Sequence, residues 1–319
     1  TDGNGYIDDI YGYDFSDDDP DPSDYLGHGT HCAGIIGAEV NNSIGISGVC
    51  PNCKIMPLKF FPSSTYTNAI SAMVYAAENG AKIISNSWGC NDGCASWPPL
   101  EETISNMYNQ GILIVFAAGN DNNDISSDET YYSPQSMSPE EHLLVVSSTN
   151  SQDVKSGFSN YGGVIDVSAP GTTILSLRGN DTDIYCFMFG NCGTHTFNDE
   201  GVLDQQGNYY VSSGTSQAAP FVAGLAGVIW SNHPDWSIEQ VILQIKSTVD
   251  HIDHLNPNYQ DLLGTGRINL AYSLLNMDSQ AHSLSITSDY FRLPTGQQLI
   301  TKVNETFNSH LYGASSCNF

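Results

Sequence analysis

Residues 214–220 read Gly214-Thr215-Ser216-Gln217-Ala218-Ala219-Pro220, and small residues continue the run as far as Gly227. This stretch predicts a helix that begins next to Ser216, because glycine allows a tight entry and small residues pack closely. A serine at a helix N-terminus presents its hydroxyl beside free backbone N–H groups and the positive end of the helix dipole. That setting suits a nucleophile, although serine is also an ordinary helix N-cap.

Two upstream motifs favour the nucleophile. They are Gly27-His28-Gly29-Thr30-His31, at the start of a predicted helix, and Ala117-Ala118-Gly119-Asn120, after an apolar strand. His28 can take a proton from a hydroxyl, and the amide of Asn120 can donate to an oxyanion. Each residue alone has a plainer interpretation, as a surface histidine or a Gly-Asn turn. In the order His, Asn, Ser they predict the base, oxyanion donor and nucleophile of a serine hydrolase.

The chain around these motifs alternates apolar strands and helices. We predict helices at 28–38, 67–79, 100–110, 237–247 and 268–276, and strands at 54–60, 82–87, 112–117, 143–148 and 164–167. This alternation predicts an α/β domain with a mostly parallel central sheet flanked by helices. After about residue 278 the pattern changes, so we expect one domain over 1–277 and an extension or β module over 278–319.

Composition excludes several classes of protein. The 319 residues include 35 acidic and 9 basic side chains, and the net charge of −26 opposes binding to nucleic acid or an anionic membrane. No apolar run in the sequence is long enough to span a bilayer. Cysteines that are mostly near neighbours favour short disulfide loops, so we expect a secreted protein or one in the secretory-pathway lumen.

The cysteine pairs leave one alternative open. A zinc site competes with a disulfide at the first pair, although no second pair follows at a finger-like distance. The remaining two cysteines have no near neighbour and are expected to be unpaired. The pairs are Cys50 with Cys53, Cys90 with Cys94, and Cys186 with Cys192, and the remaining two are Cys32 and Cys317.

From His28 to about Asn276 the motifs resemble those of the subtilisin-like serine proteases (subtilases, peptidase family S8). The resemblance implies a subtilisin-like three-layer fold and an endopeptidase that hydrolyses peptide bonds through an acyl-enzyme. It implies His28 as the base, Ser216 as the nucleophile and Asn120 as the oxyanion donor. The implied partners are a protein or peptide substrate and a cleaved propeptide, and we expect a monomer.

The resemblance extends to the substrate site. Ser87-Trp88-Gly89 is similar to the strand that pairs with the substrate backbone in this family. Ala118 and Gly119 are similar to a wall of its primary specificity pocket. Cys32 is similar to the cysteine that follows the same histidine motif in the proteinase K branch.

The catalytic aspartate of the family has no match here. It lies in an Asp-Thr/Ser-Gly turn after a hydrophobic strand, whereas Asp8, Asp9 and Asp14 lie in a polar segment. We therefore expect the first strand, with this aspartate, to lie upstream of Thr1. Loss of the aspartate alone lowers the kcat of a subtilisin by roughly four orders of magnitude, so we expect the fragment alone to be poorly active.

Residues 1–9 resemble a calcium loop. Gly5 would allow the sharp turn, and the loop would bind calcium through oxygen atoms. A solvated acidic turn is the competing interpretation, and the resemblance implies no organic cofactor. The expected calcium ligands are Asp2, Asn4, Tyr6 through its carbonyl, and Asp8.

Two other functions compete with the protease. A non-catalytic subtilase-like protein would bind peptides along the edge formed by Ser87-Trp88-Gly89, although the intact His, Asn and Ser favour an enzyme. An α/β-hydrolase esterase is disfavoured, because Ala218 interrupts the Gly-x-Ser-x-Gly motif and His28 precedes the serine.

Overall fold

The computed structural model describes residues 5–61, 65–90, 93–127, 131–137, 143–179, 182–190, 193, 195–198 and 204–275. The described helices are α1 (His28–Gly37), α2 (Tyr66–Glu78), α3 (Pro98–Asn109), α4 (Ile184–Phe189), α5 (Thr215–Asn232), α6 (Ile238–Ser247) and α7 (Leu270–Leu275). The described strands are β1 (Tyr13–Asp14), β2 (Leu58–Lys59), β3 (Ile83–Asn86), β4 (Leu113–Ala117), β5 (Leu144–Thr149), β6 (Val167–Pro170), β7 (Ile174–Leu177), β8 (Thr196–Phe197), β9 (Tyr209–Ser212), β10 (Val249–Asp250) and β11 (Arg267–Ile268).

A six-stranded sheet with the order β10-β11-β6-β5-β4-β3 forms the centre of the fold. All neighbouring strands in it run parallel except the pair β10 and β11. Helix α5 packs against β3 to β6, while a cluster with Met73 of α2, Ile104 of α3 and Phe116 of β4 is also buried. Strand β4 is therefore apolar throughout, as expected for a strand covered on both faces. The predicted α/β fold is confirmed.

Two predicted strands differ from the structure. The strand predicted at 54–60 is reduced to β2, which pairs with β1 in a separate parallel two-stranded sheet. The prediction at 164–167 was wrong, because a turn with a hydrogen bond from Ile165 N to Gly162 O occupies its first half. Strand β6 begins at Val167 and continues through small buried residues, which carry little of the apolar signal of a strand.

The segment between β6 and α5 forms a three-stranded antiparallel sheet in the order β7-β9-β8, with α4 between β7 and β8. This sheet is not among the predicted elements. Its strands are short and carry serine, threonine and tyrosine, so their apolar pattern is weak.

The glycines of α5 pack closely against a loop and not against the central sheet. An added Cβ at Gly224 would lie 2.7 Å from Cβ of Val49. At Gly227 an added Cβ would lie 2.6 Å from Sγ of Cys53. The absence of side chains at these two glycines therefore lets the loop that contains Val49 and Cys53 pack directly on the helix.

Two of the predicted disulfides are present, Cys50–Cys53 and Cys90–Cys94, and the first excludes the zinc alternative. Cys186 is also disulfide-bonded, whereas its predicted partner Cys192 lies outside the described residues. Cys32 is buried and free, as predicted. Cys317 lies outside the described residues.

One compact unit runs from Thr1 to Leu274. The predicted C-terminal module at 278–319 lies outside the described residues, so it stays a prediction. Within the described part of the chain, no helix combines the length and the apolar character that a bilayer span requires.

His31 connects α1 to the three-stranded sheet. Its Nε2 lies 3.2 Å from the carbonyl oxygens of Ile174 in β7 and Tyr210 in β9, and the residue is fully buried. Burial lowers the pKa of His31 to about 4, because the charged imidazolium would lose its hydration. His31 is therefore a neutral structural donor at physiological pH.

We expect the pKa of His31 to make the fold sensitive to acid. Between pH 6.5 and 4 the unfolded chain binds a proton at His31 that the folded chain does not. The free energy of unfolding therefore decreases as the pH is lowered through this range. The expected loss from this residue is about 3 kcal/mol at pH 4. Urea unfolding of wild type and His31→Gln at pH 7 and pH 4.5 measures it. An equal pH-dependent loss in both proteins would contradict the assignment.

Candidate active site

Ser216 is the second residue of α5, directly after Thr215, and Gly214 is the N-cap of the helix. The serine is partly exposed, and its Oγ donates to the carbonyl oxygen of Ser87 at 3.3 Å. The prediction of a helix that begins at this serine is confirmed. The hydroxyl therefore lies at the carboxyl end of β3, beside the predicted substrate strand.

Pro220 explains how the carbonyl of Ser216 joins three elements. Proline has no N–H, so it cannot bond the carbonyl oxygen four residues earlier in the helix. That oxygen instead accepts from Ser87 Oγ at 2.8 Å and from Cys32 Sγ at 3.3 Å. The start of α5 is thereby tied to α1, which contains Cys32, and to the residue that follows β3.

Asn120 follows β4 and is exposed, and its carboxamide is oriented by Thr215. Its Oδ1 accepts from the backbone N–H of Thr215 at 2.8 Å and from the Thr215 hydroxyl at 3.0 Å. Two donors at one oxygen fix which end of the amide is Oδ1. The Nδ2 of Asn120 has no partner among the described residues, so it can donate to a substrate oxygen.

His28 is the first residue of α1, as predicted, and Asp24 holds this end of the helix. The Asp24 carboxylate accepts from the backbone N–H groups of Leu26, Gly27 and Thr30 and from the Thr30 hydroxyl, at 2.8–2.9 Å. The role of Asp24 was not predicted, because this residue lies among many other aspartates in the sequence. An aspartate shortly before a helix is nevertheless a known capping signal.

The structure places His28 and Ser216 on packed helices, because α1 contacts α5. Among the described residues, however, no hydrogen bond joins the imidazole to the Ser216 hydroxyl. Catalytic hydrogen bonds are often loose in a protein without substrate. Roles for His28, Ser216 and Asn120 therefore stay predictions.

Burial lowers the pKa of His28 below 6.5, and the nearby Asp24 carboxylate partly opposes this shift. A lowered pKa keeps the imidazole neutral and able to accept a proton at pH 7. We expect an NMR titration of the chain to give His28 a pKa below 6.5. The Asp24→Asn variant should lower that pKa further, because a favourable negative charge is lost. A value at or above 6.5 in wild type would contradict the prediction.

The two predicted substrate-binding segments are joined by Gln135. Its buried Nε2 donates to the carbonyl oxygens of Trp88 and Ala117, both at 3.0 Å. A Cβ at Gly89 would lie 2.5 Å from this nitrogen, so a larger residue there would displace the Gln135 amide. Gln135 thus sets the separation between Ser87-Trp88-Gly89 and the Ala118 segment. No sequence signal points to Gln135, which belongs to neither motif.

A pocket of about 190 Å³ opens beside the predicted substrate strand. The indole of Trp88 packs against Phe60 and Tyr66, and its N–H donates to Asn86 at 3.1 Å. The lining is mostly aromatic, so the pocket suits an apolar side chain. The lining residues are Phe60, Phe61, Thr65, Tyr66, Ala69, Trp88 and Gly89.

The candidate calcium loop is only partly described. Asp2 and Asn4 lie outside the described residues. Gly5 has a φ of +96°, which fits the predicted sharp turn. Asp8 is exposed and Tyr6 packs its ring on Tyr13. Within the described part of the chain no group of three or more His, Cys, Asp or Glu residues could hold a metal ion.

Comparisons with known proteins agree with this architecture. The profile of the subtilase family, peptidase S8, matches residues 1–306. Thermitase from Thermoactinomyces vulgaris is 36% identical over 246 residues, which cover 76% of this chain and 74% of thermitase. A calcium-dependent protease from Trichormus variabilis is 29% identical over 315 residues, which cover 89% of this chain and 45% of that protein.

A solved structure is similar as well. The crystal structure of a cold adapted subtilisin-like serine proteinase has a TM-score of 0.58 and 29% identity to this chain. The match covers 75% of this chain and 74% of that one. The shared fold is that of the subtilisin-like serine endopeptidases.

The chain belongs to the subtilase family. The predicted class, a subtilisin-like serine endopeptidase, agrees with the relatives and with the solved structure. The comparisons give no support to the alternative of a non-catalytic peptide-binding protein.

Proposed function

We propose that the protein containing this chain hydrolyses peptide bonds by an acyl-enzyme mechanism with Ser216 as the nucleophile. His28 takes the proton from the Ser216 hydroxyl as the bond to the carbonyl carbon forms. It then gives that proton to the leaving amine, and water releases the acyl group by the reverse sequence of transfers. His28 therefore acts as the base in one step and as the acid in the next.

The oxyanion of the tetrahedral intermediate is bound by Asn120 Nδ2 and the backbone N–H of Ser216. The observation that carries this proposal is the anchoring of Asn120 Oδ1 by Thr215, the residue next to Ser216. Because Oδ1 is held at the start of α5, the free Nδ2 remains close to the nucleophile. A donor that is placed before the reaction stabilises the developing charge without reorganisation.

We propose that the substrate is an extended peptide. Among the described strands, β3 is the last at its side of the central sheet, and Ser87-Trp88-Gly89 continues from it. An edge of this kind can pair with a peptide backbone. Ala118 and Gly119 then form a wall of the primary pocket, and the aromatic pocket at Trp88 accepts an apolar side chain.

A fluorophosphonate probe tests the nucleophile directly, because it labels only an activated serine. We expect labelling of the full-length protein and none of Ser216→Ala. Ser213→Ala is the matched control, since Ser213 is an exposed serine close by in the sequence, and it should be labelled like wild type. An unlabelled wild type, or labelling that survives in Ser216→Ala, would contradict the proposal and favour a peptide-binding protein.

We further propose that residues 1–9 bind calcium through Asp2, Asn4, the Tyr6 carbonyl and Asp8. Support comes from the calcium-dependent relative and from the turn at Gly5. Calcium at 100 times its dissociation constant should stabilise the fold by about 2.7 kcal/mol. Melting curves with calcium and with chelator measure this, and Asp8→Asn should reduce the difference. Identical curves would contradict the proposal.

Secretion is the proposed localisation. The disulfides Cys50–Cys53 and Cys90–Cys94 support it, because such bonds persist in oxidising compartments.

A further inference from the structure

Asn160 lies between β5 and β6, is fully buried, and belongs to none of the catalytic motifs. Its carboxamide makes three hydrogen bonds, all to the backbone of residues 118–123, which we name the oxyanion loop because it contains Asn120. Oδ1 accepts from Asp121 N and Asn123 N, both at 3.0 Å, and Nδ2 donates to Ala118 O at 2.9 Å.

The oxyanion loop fits around Asn160 at Gly119. The backbone N–H of Asn160 donates to the Gly119 carbonyl at 3.0 Å. Gly119 has a φ of +100°, and an added Cβ would lie 2.4 Å from Nδ2 of Asn160. Only glycine combines this backbone conformation with the close approach.

Asn160 is itself anchored to the central sheet. Ser159 Oγ accepts from Ser148 N in β5 and donates to the Asn160 carbonyl, both at 2.9 Å. The neighbouring Phe158 carbonyl accepts from Asn122 N at 2.8 Å. The segment that supports the oxyanion loop is therefore hydrogen-bonded to the buried strand β5.

Asn120 is thus constrained at two places: Thr215 holds its side chain, and Asn160 holds the backbone on both sides of it. Oxyanion stabilisation depends on where the donor lies before the reaction. We propose that Asn160 is a positioning residue for catalysis, which holds the Asn120 amide where it can donate to the scissile carbonyl oxygen. This inference rests on the proposed function of Asn120.

Asn256 provides a matched control, because it is a buried asparagine whose carboxamide also makes three hydrogen bonds to backbone, in another loop. It is 4% exposed, and its Oδ1 accepts from Lys155 N at 2.7 Å. Its Nδ2 donates to the carbonyl oxygens of Asp153 and Ile252, both at 2.9 Å. Its replacement by alanine removes three side-chain hydrogen bonds, none of which goes to the oxyanion loop.

Steady-state kinetics of the full-length protein test the proposal through a double-mutant cycle. Asn160→Ala should lower kcat about 10²-fold with little change in KM, as for a misplaced catalytic group. Asn256→Ala should leave kcat near the wild-type value. Because Asn160 acts through Asn120, Asn160→Ala should cause little further loss in an Asn120→Ala background. A wild-type kcat in Asn160→Ala, or a full additional loss in that background, would overturn the proposal.

A second measurement does not depend on activity. By NMR, the side-chain amide of Asn120 should gain mobility in Asn160→Ala, and the Asp121 and Asn123 amides should exchange with solvent at least about tenfold faster. Asn256→Ala should leave these signals unchanged. If wild type is inactive, the proposed function fails, but this measurement still decides whether Asn160 holds the loop. Unchanged mobility and exchange in Asn160→Ala would overturn the inference.

Discussion

Replacing Ser216 with alanine should lower kcat by about 10⁶-fold, and so should His28→Ala. Loss of either corresponding residue alone costs a subtilisin about 2 × 10⁶-fold in kcat. The physical reason is that the hydroxyl and the imidazole act in one step, since neither attack nor proton transfer proceeds without the other. Kinetics with a peptide substrate on the full-length protein measure both losses.

The combination of the two changes is the sharper measurement. Ser216→Ala with His28→Ala should be hardly slower than either single variant, because the same mechanism is already absent. His254→Ala, on a 3₁₀ turn outside the site, is a control that should keep wild-type kcat. Losses that multiply in the double variant would show that His28 does not act through Ser216.

Asn120→Ala should lower kcat about 10²- to 10³-fold, the loss expected when one oxyanion donor is removed. KM should change little, because the carbonyl oxygen of the bound substrate is neutral and becomes negative only on the way to the tetrahedral intermediate. The loss corresponds to about 2.7–4 kcal/mol of transition-state stabilisation. Steady-state kinetics that separate kcat from KM measure it.

Thr215→Val distinguishes the orientation of the Asn120 amide from its presence. The variant keeps the backbone N–H that binds Oδ1 at 2.8 Å but removes the hydroxyl contact at 3.0 Å. We expect a kcat between those of wild type and Asn120→Ala. An unchanged kcat in Asn120→Ala would contradict the oxyanion role.

Sequence patterns predicted much of the fold because the strongest signals are local. The apolar run of β4 and the small residues of α5 are continuous in the sequence, because each element is buried on nearly all sides. The capping box of α6, in which Ser237 and Gln240 bond each other's backbone, follows from neighbouring residues. By contrast, strands β7 to β9 have only two to four residues each and interrupt their apolar residues with serine or threonine, so the prediction missed them.

The sequence by itself determined the order of the chemistry: a histidine and a serine that each begin a helix, and an asparagine that follows a buried strand. These are local facts, since a residue at a helix start or strand end is defined by its neighbours. Only the tertiary structure decided what surrounds them: Thr215 on Asn120, Gln135 between the substrate segments, and Asn160 under the oxyanion loop. The physical reason is that hydrogen bonds between distant segments depend on how the sheet and helices pack, and no spacing along the chain encodes that packing.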